Sequence, residues 1–110
     1  MFGIGGTRPK NLSAREVQAQ VSGGTAVVVD VREADEFAQG HIAGAVNLPL
    51  SRFDPNKLPV EAGKSIILSC AGGRRSAAAF AKCSGVRADV TSHLEGGLQA
   101  WIDAGLPVTR

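Results

Sequence analysis

Lys64-Ser65-Ile66-Ile67-Leu68-Ser69-Cys70-Ala71-Gly72-Gly73-Arg74-Arg75-Ser76-Ala77-Ala78-Ala79-Phe80 is the stretch around which the chain is organised. Ile66 to Leu68 is a short apolar run of the kind that forms a buried strand, and the alanines ending in Phe80 suit a small helix. A parallel strand that turns into a helix delivers its loop to the carboxyl edge of a sheet, where α/β proteins place their sites. That edge is where Cys70 is expected, followed by two glycines, two arginines and a serine. Gly72 and Gly73 permit positive φ, so the N–H groups of Ala71 through Ser76 can curl around whatever Cys70 carries. The positive end of the following helix and the side chains of Arg74 and Arg75 add to the same field. A thiol there is expected to fall below its free value of about 8.5 and to be a thiolate at neutral pH. An inert strand-end cysteine needs neither glycines nor paired arginines after it.

Outward from this loop, strands and helices alternate. Upstream, Ser13-Ala14-Arg15-Glu16 has the spacing of a capping box and predicts a helix to about Ser22, closed by Gly23-Gly24. Ala26 to Val29 is a continuous apolar run of central-strand type, ending in Asp30-Val31-Arg32-Glu33. Asp30 and Arg32 are expected to form an ion pair that fixes the strand end. Ala34 to Ala38 predicts one or two helical turns with Phe37 turned inward, and Gly40 to Pro49 a short bent strand. Leu50, Phe53 and Leu58 are expected to cover the sheet from an irregular segment limited by Pro55 and Pro59. Downstream, a helix is predicted from about Ser76 to Cys83 and a strand over Val90 to Leu94. A last helix over Leu98 to Ala104 has Leu98, Trp101 and Ile102 as its apolar stripe. This order predicts an α/β domain with a parallel-rich sheet and helices on both faces. Residues 1–11, with Gly3, Gly5 and Gly6, read as a loose lead-in with a few extended residues near Arg8; residues 12–110 form the single domain.

Composition excludes several classes of function. The 110 residues are 44% hydrophobic and 20% charged, ordinary for one soluble domain. Twelve basic and ten acidic residues give a net charge of +2, which carries no nucleic-acid footprint. No apolar run reaches the roughly 18 residues of a membrane span, and the first ten residues lack a signal-peptide core. A monomer in a reducing cytoplasm is the expectation. The two histidines and two cysteines form no C-x-x-C or close His pair, so no metal is expected.

Taken together, Asp30-Val31-Arg32-Glu33, Glu36-Phe37, Gly40-His41-Ile42 with Gly44-Ala45 and Asn47, Cys70 with Gly73, Arg75 and Ser76, and Gly96-Gly97 with Trp101, Gly105 and Pro107-Val108 resemble a rhodanese domain from about Leu12 to Val108. The resemblance implies a rhodanese-like fold with a five-stranded, mostly parallel sheet. It also implies a sulfurtransferase that holds sulfane sulfur as a persulfide on Cys70. Ala71, Gly72, Gly73, Arg74, Arg75 and Ser76 would bind the sulfur and the donor's charge. The donor would be thiosulfate or a persulfide, the acceptor cyanide in vitro or a thiol, with no cofactor. Related phosphatases of this fold place five residues between cysteine and arginine; here there are four, a tighter ring suited to one sulfur atom. The loop also offers no general acid for a leaving alkoxide. A sulfur carrier or regulatory protein-binding module, working with a protein donor or acceptor, is the alternative within the family. In the two-domain thiosulfate sulfurtransferases an arginine for the donor stands where this chain has Glu36, and a glutamate there would repel a dianion. His41 is expected to fix a turn, His93 to be structural, and Cys83 to be a buried filler about 10 Å beyond Cys70, too far for a disulfide.

Overall fold

The structure is a computed structural model and describes residues 10–110; the extended residues expected near Arg8 lie outside them. The chain runs β1 (Lys10–Leu12), α1 (Ala14–Ser22), β2 (Ala26–Asp30), α2 (Ala34–Gln39), β3 (His41–Ile42), β4 (Val46–Asn47), β5 (Ser65–Ser69), α3 (Arg74–Cys83), β6 (Val90–Leu94), α4 (Gly97–Asp103) and β7 (Val108–Thr109). Two 3-10 turns, Leu50–Arg52 and Pro55–Lys57, lie between β4 and β5. Five strands form a parallel sheet in the order β1-β6-β5-β2-β4, and β3 pairs with β7 antiparallel beside it.

Residue alternation builds the layers. In β2 and β5, Val28 and Ile67 point to one face while Val29, Ile66 and Leu68 point to the other. The first face is covered by Ala14 and Val17 of α1 and by Leu98 and Trp101 of α4. The second is covered by Ala79, Phe80 and Cys83 of α3 and by Leu58, with Leu48, Leu50 and Phe53 packed at its margin. Ser13 closes the capping box of α1: its Oγ accepts from the Glu16 N–H at 3.2 Å, and Glu16 Oε1 accepts from the Ser13 N–H at 2.9 Å.

Five details differ from the expectations above. β1 takes in Lys10 and Asn11, which pair with Ser92 and His93 of β6, so the sheet begins before Leu12. Helix α3 starts at Arg74 rather than Ser76, because Gly73 at φ +106° reverses the chain and the first helical turn follows at once. Gly72 is outside the positive-φ region; Gly73 alone in this loop uses it. Phe37 is half-buried rather than core, and stacks on the His41 ring with centroids 3.6 Å apart. Ile102 is 47% exposed, because the face of α4 that packs inward is spanned by Leu98 and Trp101. Among the described residues no helix is long and apolar enough to cross a membrane.

Candidate active site

Cys70 follows β5 directly and is only 1% exposed. The N–H groups of Gly73 and Ser76 donate to its Sγ at 3.0 and 3.3 Å, and the Ser76 hydroxyl lies 3.6 Å away. Burial alone pushes this thiol up. The Ser76 hydroxyl, then the N–H groups of Ser76, Gly73 and Gly72, outweigh that penalty and bring the thiol below its ordinary value. Helix α3, ten residues long, presents its positive end at the same point.

The arginines are arranged differently from the expectation that both would sit beside the sulfur. Arg74 is exposed and has no side-chain partner among the described residues. Arg75 is engaged by Glu36 in a two-pronged ion pair, Nη1 to Oε1 at 2.7 Å and Nη2 to Oε2 at 3.1 Å. The Arg75 guanidinium holds the Glu36 carboxyl down to about 2. The fall in the Cys70 pKa therefore rests on Ser76 and on backbone N–H groups.

The loop is held from behind by α4. The Cys70 carbonyl accepts from the Leu98 N–H at 2.7 Å and the Ala71 carbonyl from the Gln99 N–H at 3.2 Å, so the loop's carbonyls are tied to α4 while N–H groups face the sulfur. Gly97 allows this approach: a Cβ built on it would stand 2.3 Å from the Cys70 carbonyl oxygen. The glycine pair Gly96-Gly97 is quoted above only as part of the family pattern; its part in seating the loop has no local signal.

Asp30 and Arg32, 2% and 6% exposed, form a buried pair at the end of β2. Arg32 Nε and Nη2 donate to the carboxylate at 2.9–3.1 Å, and Nη2 also donates to the Gly40 carbonyl at 2.6 Å. Asn47, quoted above only as part of the family pattern, clamps this corner by donating to the Asp30 and Arg32 carbonyls at 2.9 Å each. An open groove of about 300 Å³ borders the ion pair, lined by Arg32, Glu36, Gly40, Leu98, Ile102 and Val108 among others. His41 Nδ1 lies 2.7 Å from the Phe37 carbonyl. His93 is buried, with Nδ1 2.9 Å from Ser76 Oγ and Nε2 2.7 Å from Asn11 Oδ1. Cys83 is buried and free at the end of α3, and burial pushes its thiol up. Among the described residues no cluster of three or more His, Cys, Asp or Glu could hold a metal.

This arrangement, a thiol at the strand-to-helix loop above a parallel sheet, is matched by the family model for the rhodanese-like domain over residues 13–104. The chain belongs to that family. It is similar to an uncharacterized protein of Synechocystis, 41% identical over 93% of this chain and 54% of the relative, so it spans little more than half of that protein's length. It is also similar to the thiosulfate sulfurtransferase GlpE of Ectopseudomonas mendocina, 33% identical over 84% of each chain. Among solved structures, a rhodanese-related protein from Thermoplasma volcanium superposes with a TM-score of 0.78 at 34% identity, covering 91% of this chain and 97% of its own. As a rhodanese-like domain, the chain shares its family with proteins named as sulfurtransferases.

Proposed function

We propose that this rhodanese-like domain is a sulfurtransferase that carries sulfane sulfur on Cys70. The observation that carries this reading is the buried thiol, lowered in pKa and ringed by the Gly73 and Ser76 N–H groups. In the first half-reaction the Cys70 thiolate attacks the outer sulfur of a persulfide R–S–S⁻. A new S–S bond forms at Cys70, and R–S⁻ leaves with the electron pair of the old S–S bond. In the second, an acceptor thiolate or cyanide attacks that outer sulfur, and Cys70 leaves as a thiolate into the N–H cradle. The cradle stabilises negative charge on sulfur in both steps.

A monoanionic persulfide suits the site better than thiosulfate. Arg75, the cation nearest the role of donor anchor, is occupied by Glu36, whose carboxylate adds negative charge beside the loop. A phosphatase would need Arg75 free for a phosphate, and the Glu36 pair weighs against that use.

Intact mass before and after incubation with glutathione persulfide, and separately with thiosulfate, tests the function. A gain of about 32 Da that cyanide reverses, absent in Cys70→Ser, is the expected result. No gain with either donor, or an equal gain in Cys70→Ser, would overturn it.

A further inference from the structure

The single proton of the Ser76 hydroxyl has three acceptors around it. The oxygen lies 3.1 Å from the Gly73 carbonyl, 2.9 Å from His93 Nδ1 and 3.6 Å from Cys70 Sγ. At the far side of the ring, Nε2 faces Asn11 Oδ1 at 2.7 Å. A carboxamide oxygen only accepts, so Nε2 carries a proton and a neutral His93 presents a bare Nδ1 to Ser76. Cys70, Ser76, His93 and Asn11 thus form one unbroken chain from the loop through α3 and β6 to the edge strand β1. Its first three members are 1%, 0% and 7% exposed, which keeps bulk water from competing for the protons.

We propose that His93, acting through the Ser76 hydroxyl, is the proton partner of Cys70. In the thiol form the Cys70 S–H donates to Ser76 Oγ, and the serine proton goes to His93 Nδ1. Moving each proton one place breaks the S–H bond and the original serine O–H bond, and forms a new serine O–H and an N–H on Nδ1. The S–H electron pair stays on sulfur as the nucleophile, His93 becomes an imidazolium, and the chain keeps its total charge. Nothing is oxidised or reduced. In the new state Nδ1 donates to Ser76, so the serine proton is free to point at the thiolate. A buried thiol can in this way ionise without a net charge entering or leaving the site.

His93 is a positioning residue; it touches neither donor nor acceptor. The proposal rests on the persulfide reading only in taking Cys70 as the reacting atom. Burial holds His93 below its usual value, offset in part by Glu95, so the ring rests neutral, and the charge that would hold its imidazolium is the Cys70 thiolate formed in the same transfer. The titratable groups facing the ring are Cys70 across Ser76 and Glu95 two residues on. Ser76 from α3, Asn11 from β1 and Leu68, its register partner in β5, are neutral.

Two titrations of the full chain test the relay. The His93 imidazole is followed by NMR in the wild type and in Cys70→Ser; loss of the anionic partner should lower the His93 pKa by about one unit. Alkylation of Cys70 by iodoacetamide, located by peptide mass spectrometry, is then followed against pH. Ser76→Ala and His93→Gln should each raise its midpoint by about one unit, roughly tenfold slower labelling at pH 6, and the double variant should add little. Asn11→Asp, which sets a carboxylate behind the imidazole, should lower it. Identical His93 titrations with and without the Cys70 thiol overturn the proposal, as do unmoved alkylation midpoints in folded variants. Where His93→Gln fails to fold, the NMR pair decides, since both samples keep His93. Sulfur loading is a separate readout: a persulfide with uncoupled titrations removes the relay and leaves the transferase, and coupled titrations without a persulfide do the reverse.

Discussion

Glu36 and Arg75 lie 39 positions apart in the chain, and under the proposed function their pairing would set what kind of donor the site holds. Removing the carboxylate while keeping its shape, in Glu36→Gln, should free Arg75 for an anion. Loading by thiosulfate should rise about tenfold, the equivalent of about 1.4 kcal/mol, while loading by a persulfide changes less. Intact-mass time courses with the two donors measure this, and equal effects on both would contradict it. The pair's contribution to stability has a defined pH window. Glu36 is depressed from 4.5 to about 2, so its contribution is complete above pH 4.5 and is lost as pH falls toward 2. Both side chains are about one-third exposed, at 34% and 37%, so solvent screens the pair and a double-mutant cycle at pH 7 should return no more than about 1 kcal/mol. At the sulfur, Cys70 titrates below an ordinary cysteine, so its alkylation should reach half-maximum below about pH 8.5, whereas Cys83, pushed up by burial, should stay unlabelled in the folded protein. The Glu36 to Arg75 contact was not legible in the sequence, because nothing local links a helix residue to one 39 places on. Cys70 was legible, because its determinants are its own neighbours.

The long elements were easiest to read for a physical reason. β5 and β6 are five-residue strands and α1 carries a capping box, so periodicity and capping chemistry had room to show. β1, β4 and β7 are two or three residues long and exist through their partners, which leaves no period to detect. The start of α3 was misplaced by two residues because paired arginines resemble a loop ligand, whereas Gly73 in the left-handed region lets the helix begin directly at Arg74. α4 supplies the sharpest test at this scale. Gly97→Ala would bring a Cβ to 2.3 Å from the Cys70 carbonyl, and backbone cannot yield there as a flexible side chain could. It also places alanine at φ +58°, itself worth about 1–2 kcal/mol. The variant should lose on the order of 3 kcal/mol by denaturant unfolding and most of its sulfur loading. Gly105→Ala, with open space at its Cβ position and φ +74°, should lose only the backbone cost and keep its activity.

At the scale of the molecule, the parallel sheet divides the labour: α1 and α4 close one face, α3 closes the other, and the loops at the carboxyl edge are left free for chemistry. The parallel α/β layering follows from alternation of elements and from the apolar runs, and the family pattern covers nearly the whole chain, whereas the strand order β1-β6-β5-β2-β4 has no signal in either. The short outer strands have a further consequence, for solubility. β1 and β4, three and two residues long, are poor templates for a stray strand, whereas the five-residue β6 behind β1 would be a good one. A chain cut to start at Ser13, one residue past β1, should therefore expose the ladder of Ser92, His93 and Leu94 to other copies of itself. Light scattering should show it associating with time and concentration while the full chain does not. Lys10 and Asn11, which read as the end of a loose lead-in, thus join Leu12 as the guard on an otherwise sticky edge.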